Sequence, residues 1–183
     1  MTASLPAIAF AGIGLMGLPM TRRLLAAGYP LTLWNRTPDK CTSLLEQGAH
    51  RVENPADLCR DANVVMLCLA NTEVVREVVF GPGGIVEGAR PGQLLVDFSS
   101  LEPAATREMA AELEARTGMR WVDAPVSGGT PGAEAGTLAI MAGGREEDVE
   151  RVRPILAHLG QRLTRMGEVG AGQVTKVCNC LLY

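Results

Sequence analysis

The segment Gly12-Ile13-Gly14-Leu15-Met16-Gly17 constrains this chain more than any other, because of what flanks it. An apolar run, Ile8-Ala9-Phe10-Ala11, leads in, and a helical pattern with Leu18, Met20, Leu24 and Leu25 follows and stops at Gly28. Strand, glycine turn and helix form the context in which G-x-G-x-x-G predicts a dinucleotide site instead of an ordinary glycine-rich turn. Gly12 permits the tight turn, Gly14 lets a pyrophosphate approach the backbone, and Gly17 lets the helix pack closely on the strand. The helix start then offers unpaired N–H groups and a positive dipole end to phosphate.

The next strand bears on which dinucleotide. Leu31-Thr32-Leu33-Trp34 is followed by Asn35-Arg36-Thr37-Pro38. In an NAD site an acidic residue about 20 positions beyond the glycines holds the ribose hydroxyls. Asn35 and Arg36 stand there instead, and a guanidinium suits a 2′-phosphate where a carboxylate would repel it. NADP(H) is therefore expected in preference to NAD(H). Thr37 is placed to cap a helix that Pro38 opens, running to Gly48.

Farther along, strand and helix patterns alternate. Asn63 to Leu69 and Gln93 to Asp97 are continuous apolar runs of the kind buried on both faces. Helical patterns follow from Asn71-Thr72 toward Gly81 and from Glu102-Pro103 to Arg116. Met119 to Val126 and Leu138 to Ala142 read as strands, Glu146 to Leu159 as a helix, Arg162 to Met166 as a strand, and Gly172 onward as a helix. That order predicts an α/β fold: an extended, doubly wound Rossmann-type sheet, mostly parallel, with helices on both faces. Ligands of such sheets bind at the carboxyl ends of strands. This rule selects Gly12–Gly17, Leu69-Ala70-Asn71-Thr72, Phe98-Ser99-Ser100 and Pro125–Gly129, and leaves out His50 and His158.

Composition narrows the function classes. The net charge is −3 with no basic run, and aromatics make up 4%, which argues against nucleic acid as a partner. No apolar stretch reaches membrane-spanning length, and the first residues lack the basic start of a secretory signal. Five cysteines, an odd number, point to reduced thiols and a cytoplasmic setting. No metal site is expected, because Cys178-Asn179-Cys180 has no imidazole near it in sequence.

Two further segments carry chemistry. Asp123-Ala124-Pro125-Val126-Ser127-Gly128-Gly129 ends a strand with two glycine N–H groups and a serine hydroxyl, which is either a nest for a carboxylate or a capped turn. In Gly170-Ala171-Gly172-Gln173-Val174-Thr175-Lys176-Val177-Cys178-Asn179, Lys176 stands inside a helix with apolar flanks. It reads as either a partly buried acid/base or a snorkelling surface lysine. Asn179, three residues on, shares its face.

Together these residues resemble the β-hydroxyacid dehydrogenases, a group that includes 3-hydroxyisobutyrate dehydrogenase, 2-hydroxy-3-oxopropionate reductase and the glyoxylate/succinic semialdehyde reductases. The resemblance rests on Gly12–Met20, Asp97-Phe98-Ser99-Ser100, Asp123–Gly129, and Gly170-Ala171-Gly172 with Lys176. It implies that Gly12, Ile13, Gly14, Leu15, Met16 and Gly17 hold the pyrophosphate, and that Asn35, Arg36 and Thr37 hold the 2′-phosphate. It further implies that Leu69 and Ala70 line the cofactor, that Ser100 lies near the nicotinamide ribose, and that Ser127, Gly128 and Gly129 take a carboxylate of a small-molecule substrate. Lys176 becomes the acid/base and Asn179 the substrate-orienting amide, although many relatives have asparagine where this chain has Cys180. By the same resemblance, residues 1–168 form the NADP-binding domain and 169–183 begin a truncated interdomain helix. The all-helical domain and the dimer or higher homo-oligomer that it builds belong to a longer protein. Imine reductases share this architecture, and a non-catalytic NADP-binding module is the reading outside enzymes.

Overall fold

Alternating side chains explain why the central strands are buried on both faces. In the computed structural model, which describes residues 5–182, β1 (Ile8–Ala11) sends Ile8 and Phe10 into one hydrophobic cluster and Ala9 and Ala11 into another. β1 leads through the glycine turn into α1 (Gly17–Ala26), then β2 (Leu31–Trp34), α2 (Thr42–Leu45) and β3 (His50–Arg51). β4 (Val64–Leu67), α3 (Thr72–Phe80), α4 (Ile85–Gly88) and β5 (Leu94–Asp97) come next. The chain continues through α5 (Pro103–Thr117), β6 (Arg120–Asp123), β7 (Val126–Ser127), α6 (Gly129–Ala135) and β8 (Leu138–Gly143). It closes with α7 (Glu146–Leu156), β9 (Gly160–Gly167) and α8 (Ala171–Leu182).

The strands join one sheet in the order β3-β2-β1-β4-β5-β6-β8-β7, with β9 paired to β8. From β3 to β6 every pairing is parallel. β8 runs antiparallel to β6 and β7 and parallel to β9. The expected doubly wound sheet with an extension is therefore present. The winding reverses between β1 and β4, so the glycine turn after β1 and Leu69-Ala70 after β4 face one crevice.

Local chemistry sets the element ends. Asn71 caps α3 by accepting from the Val74 N–H at 2.9 Å. α5 starts at Pro103 and stops at Gly118, whose φ of 74° is left-handed. Its inward face is Ala105, Thr106, Met109, Ala110 and Leu113.

Three expectations are corrected. The helix expected from Thr37 to Gly48 is a 3-10 turn, Pro38–Cys41, followed by the single turn α2. The Thr37 side chain caps nothing; instead its carbonyl takes bonds from Lys40 N and Asn35 Nδ2. The strand expected from Met119 to Val126 is two strands, because Ala124-Pro125 turns the chain from its parallel partner β5 to its antiparallel partner β8. The short elements β3, α4 and α6 carry too few residues to show a period.

Candidate functional site

The turn after β1 is shaped by close approach. A Cβ on Gly12 would lie 2.2 Å from the Cys68 carbonyl oxygen, and one on Gly17 would lie 1.9 Å from the Gly12 carbonyl oxygen. Gly14 differs: nothing stands within 4 Å of its Cβ position, which leaves its backbone open to a ligand. Met16 precedes α1 without a side-chain cap, and no acidic residue stands in the first turn. The helix start thus keeps N–H groups available to an anion. Ile13 is buried in the core, whereas Leu15 is 84% exposed.

The second strand fastens this turn. Asn35 Oδ1 accepts from the Ile13 N–H at 2.8 Å, and its Nδ2 donates to the Thr37 carbonyl at 2.8 Å. Both ends of the amide hold backbone, so Arg36 and Thr37 are the exposed groups of this segment. A cleft of about 380 Å³ runs along the crevice. Gly12 and Gly14 line it with Asn35, Arg36 and Thr37 from the segment after β2 and Leu69 and Ala70 from the end of β4. Lys40 also lines it, a second cation that the sequence pattern does not single out. Ile13, Leu15, Met16, Gly17, Ser100, Ser127–Gly129, Lys176 and Asn179 lie outside its lining.

Beyond the cleft, the ends of β5 and β6 form a buried polar frame. Asp97 and Asp123 are register neighbours, and both are buried. Asp97 Oδ1 accepts from the Ser99 N–H at 2.9 Å, and Ser99 Oγ accepts from the Leu69 N–H at 2.9 Å. Ser99 is therefore structural, while Ser100 stays exposed at the strand end. Burial pushes the Asp97 carboxyl up to about 7 against the opposing bonds of Ser99, and Asp123 adds to the rise. Its Oδ2 is buried without a hydrogen-bond partner.

Asp123 holds the start of α8. Its Oδ1 accepts from the Gly170 N–H at 2.7 Å and its Oδ2 from the Gln173 N–H at 2.9 Å. Burial raises its pKa, and the bonds from Gly170 and Gln173 pull against that rise. Gly172 has no room for a side chain: a Cβ would lie 2.3 Å from the Met141 carbonyl oxygen and 2.8 Å from Asp123 Oδ2. The Gln173 side chain bonds to the Ser99 carbonyl and the Leu101 N–H. Lys176 and Asn179 follow on α8, each half-buried. Lys176 is thus partly buried, although two of its apolar flanks, Val174 and Val177, are themselves 42% and 49% exposed. α8 packs against β8, and Ser127 pairs with Ala139 of the same strand. Gly128 and Gly129 follow with φ of 129° and 59°, backbone that glycine adopts readily, and Gly129 begins α6.

Residues 7–167 match the family model described as the NAD binding domain of 6-phosphogluconate dehydrogenase. The chain belongs to this family. It is 38% identical over 175 residues to 2-(hydroxymethyl)glutarate dehydrogenase of Eubacterium barkeri, covering 96% of this chain and 58% of that protein. It superposes on Mycobacterium tuberculosis 3-hydroxyisobutyrate dehydrogenase, solved with L-serine, at TM-score 0.91 and 36% identity, covering 97% of this chain and 60% of that one. Psf3, solved with NADP+ and 2-OPP, gives TM-score 0.91 at 33% identity, covering 96% and 62%. The chain thus spans less than two thirds of these relatives. An imine reductase from Myxococcus stipitatus shares the fold, at TM-score 0.89 and 22% identity.

The β-hydroxyacid dehydrogenase resemblance is thereby shown, as is an NAD-binding Rossmann domain of an oxidoreductase family. Among the described residues no helix is long and apolar enough to cross a membrane.

Proposed function

We propose that this chain carries the nucleotide-binding part and the acid/base of an NADP(H)-dependent oxidoreductase acting on a small β-hydroxy or semialdehyde acid. The observation that carries the reading is the cleft itself. It gathers Gly12, Gly14, Leu69 and Ala70 at the sheet's switch point together with Arg36 and Lys40, with Asn35 where an acidic residue would select NAD. The open face of Gly14 and the uncapped start of α1 fit a pyrophosphate. Thr37 adds an exposed hydroxyl at the 2′-phosphate end.

The bound cofactor supplies or accepts a hydride at the substrate carbon. The chain supplies the remainder. Ser127 and the backbone of Gly128 and Gly129 hold the substrate carboxylate, and Ser100 faces the nicotinamide ribose. As an aldehyde is reduced, Lys176 Nζ donates a proton to the carbonyl oxygen while it becomes an alcohol; in oxidation it takes that proton back. Asn179 orients the reacting oxygen. Candidate substrates are 2-hydroxy-3-oxopropionate, 3-hydroxyisobutyrate, glyoxylate and succinic semialdehyde. Residues 1–168 act as the cofactor domain, and 169–183 begin the helix that leads to the substrate pocket of a cytoplasmic homo-oligomer.

The test is oxidation of NADPH, against NADH, with each carbonyl substrate, and the reverse reaction with 3-hydroxyisobutyrate. Turnover favouring NADPH supports the proposal; a folded, NADPH-binding whole protein that reduces none of them refutes it.

A further inference from the structure

We infer that Gln173 is the positioning residue that sets Lys176 against the nicotinamide end of the site, an inference that rests on the functional reading above. The Gln173 side chain is 1% exposed. Its Nε2 donates to the Ser99 carbonyl at 2.8 Å, and its Oε1 accepts from the Leu101 N–H at 3.0 Å. Those two backbone groups flank Ser100, so one amide grips the loop on both sides of the residue that meets the nicotinamide ribose. Satisfying a carbonyl and an N–H together requires a side chain that donates and accepts at once, which an uncharged amide does and a carboxylate does not.

The other end of the clamp is equally fixed. The backbone N–H of Gln173 donates to Asp123, and Gly172 sits too close to Met141 and Asp123 for the first turn of α8 to slide. Lys176 lies three residues on, on the same helix face. The loop bearing Ser100 and the helix bearing Lys176 are therefore held in one frame, through an amide that touches neither cofactor nor substrate. Binding the nucleotide depends mainly on the glycine turn and β2, so loss of the clamp separates turnover from cofactor affinity.

Q173L removes donor and acceptor while keeping an apolar side chain of similar size, and Q173E keeps the acceptor only. The readouts are NADPH affinity by fluorescence titration, kcat and KM with the semialdehydes, and amide hydrogen exchange over residues 99–101 and 170–180. Q173L is expected to keep NADPH affinity and KM, to lose roughly a hundredfold in kcat, as a shift near 1 Å does to aligned groups, and to exchange faster at both segments. Q173E is expected to regain kcat relative to the wild type at the same pH as the pH falls and its buried carboxyl, now protonated, again donates to the Ser99 carbonyl, the comparison cancelling the titration of Asp97 and Asp123 beside it. Unchanged kcat in Q173L, kcat and NADPH affinity lost together, or no recovery in Q173E at low pH overturns the inference. If the wild type reduces none of the substrates, the functional reading fails separately, and exchange decides the clamp. Faster exchange in Q173L at both segments upholds it, and unchanged exchange overturns it.

Discussion

Replacing Asp97 with asparagine isolates the energetic cost of a buried carboxylate at the edge of the site. Asp97 is fully buried, its Oδ2 lacks a partner, and its pKa stands at about 7 instead of 3.8. The folded state therefore holds a proton that the unfolded chain releases near pH 4. The stability this contributes is complete below pH 4, falls by about 1.4 kcal/mol per pH unit above it, and is lost by the time the pH passes about 7. The full loss is about 4 kcal/mol. The substituted amide keeps the acceptor for the Ser99 N–H and has no proton to lose, so any offset from its Nδ2 is constant with pH and only the slope is read. Urea unfolding of both proteins between pH 5 and pH 8 checks this. The stability of the wild type should drop relative to Asp97→Asn by roughly 3 kcal/mol across that range. Parallel curves for the two proteins would refute the burial argument, because they would mean that Asp97 ionises in the folded state as it does in water.

Three other perturbations follow from the site. Arg36→Asp should swing the NADPH-to-NADH affinity ratio by roughly a hundredfold, since on the proposed function it would remove a charge-assisted phosphate contact and add a ribose acceptor; titration with both cofactors measures it, and an unchanged ratio removes Arg36 from the proposed 2′-phosphate site. Lys176→Ala should lower kcat by roughly a thousandfold while NADPH affinity stays the same, a split that steady-state kinetics and binding titration read together. Gly17→Ala should cost about 3 kcal/mol of stability and weaken NADPH binding, because its Cβ would meet the Gly12 carbonyl oxygen at 1.9 Å and the turn must open; denaturant melts with and without NADPH check it.

Local signals made much of the fold legible. Ile8 to Gly28 announces strand, turn and helix within one stretch of chain, and Val64 to Leu67 and Leu94 to Asp97 announce buried strands by unbroken apolarity. Asn35 and Arg36 were legible as cleft residues because their distance from the glycines is fixed by the βαβ unit. What stayed hidden depends on contacts distant in sequence. Asp123 and Gln173 meet across 50 residues, and Gln173 reaches Ser99 across 74. No periodicity encodes such pairs. One clue was present: two apolar strands each end in aspartate, Asp97 and Asp123, and an acid that closes a buried strand needs donors from elsewhere. Lys40 was not singled out because only the fold brings the turn Pro38–Cys41 to the cleft.

The amide of Asn35 has a consequence for how cofactor choice can drift over generations. It pins the phosphate turn to the second strand through Ile13 while bracing Thr37. An aspartate there would keep the first bond but set a carboxylate oxygen against the Thr37 carbonyl. On the proposed function, mutation at 35 therefore trades nucleotide preference against the integrity of the turn that Asn35 fastens. Position 36, exposed and unburdened, can change sign without that loss. Lineages that switch between the two coenzymes should cross at 36 first, and reach 35 only after the turn has acquired another fastening.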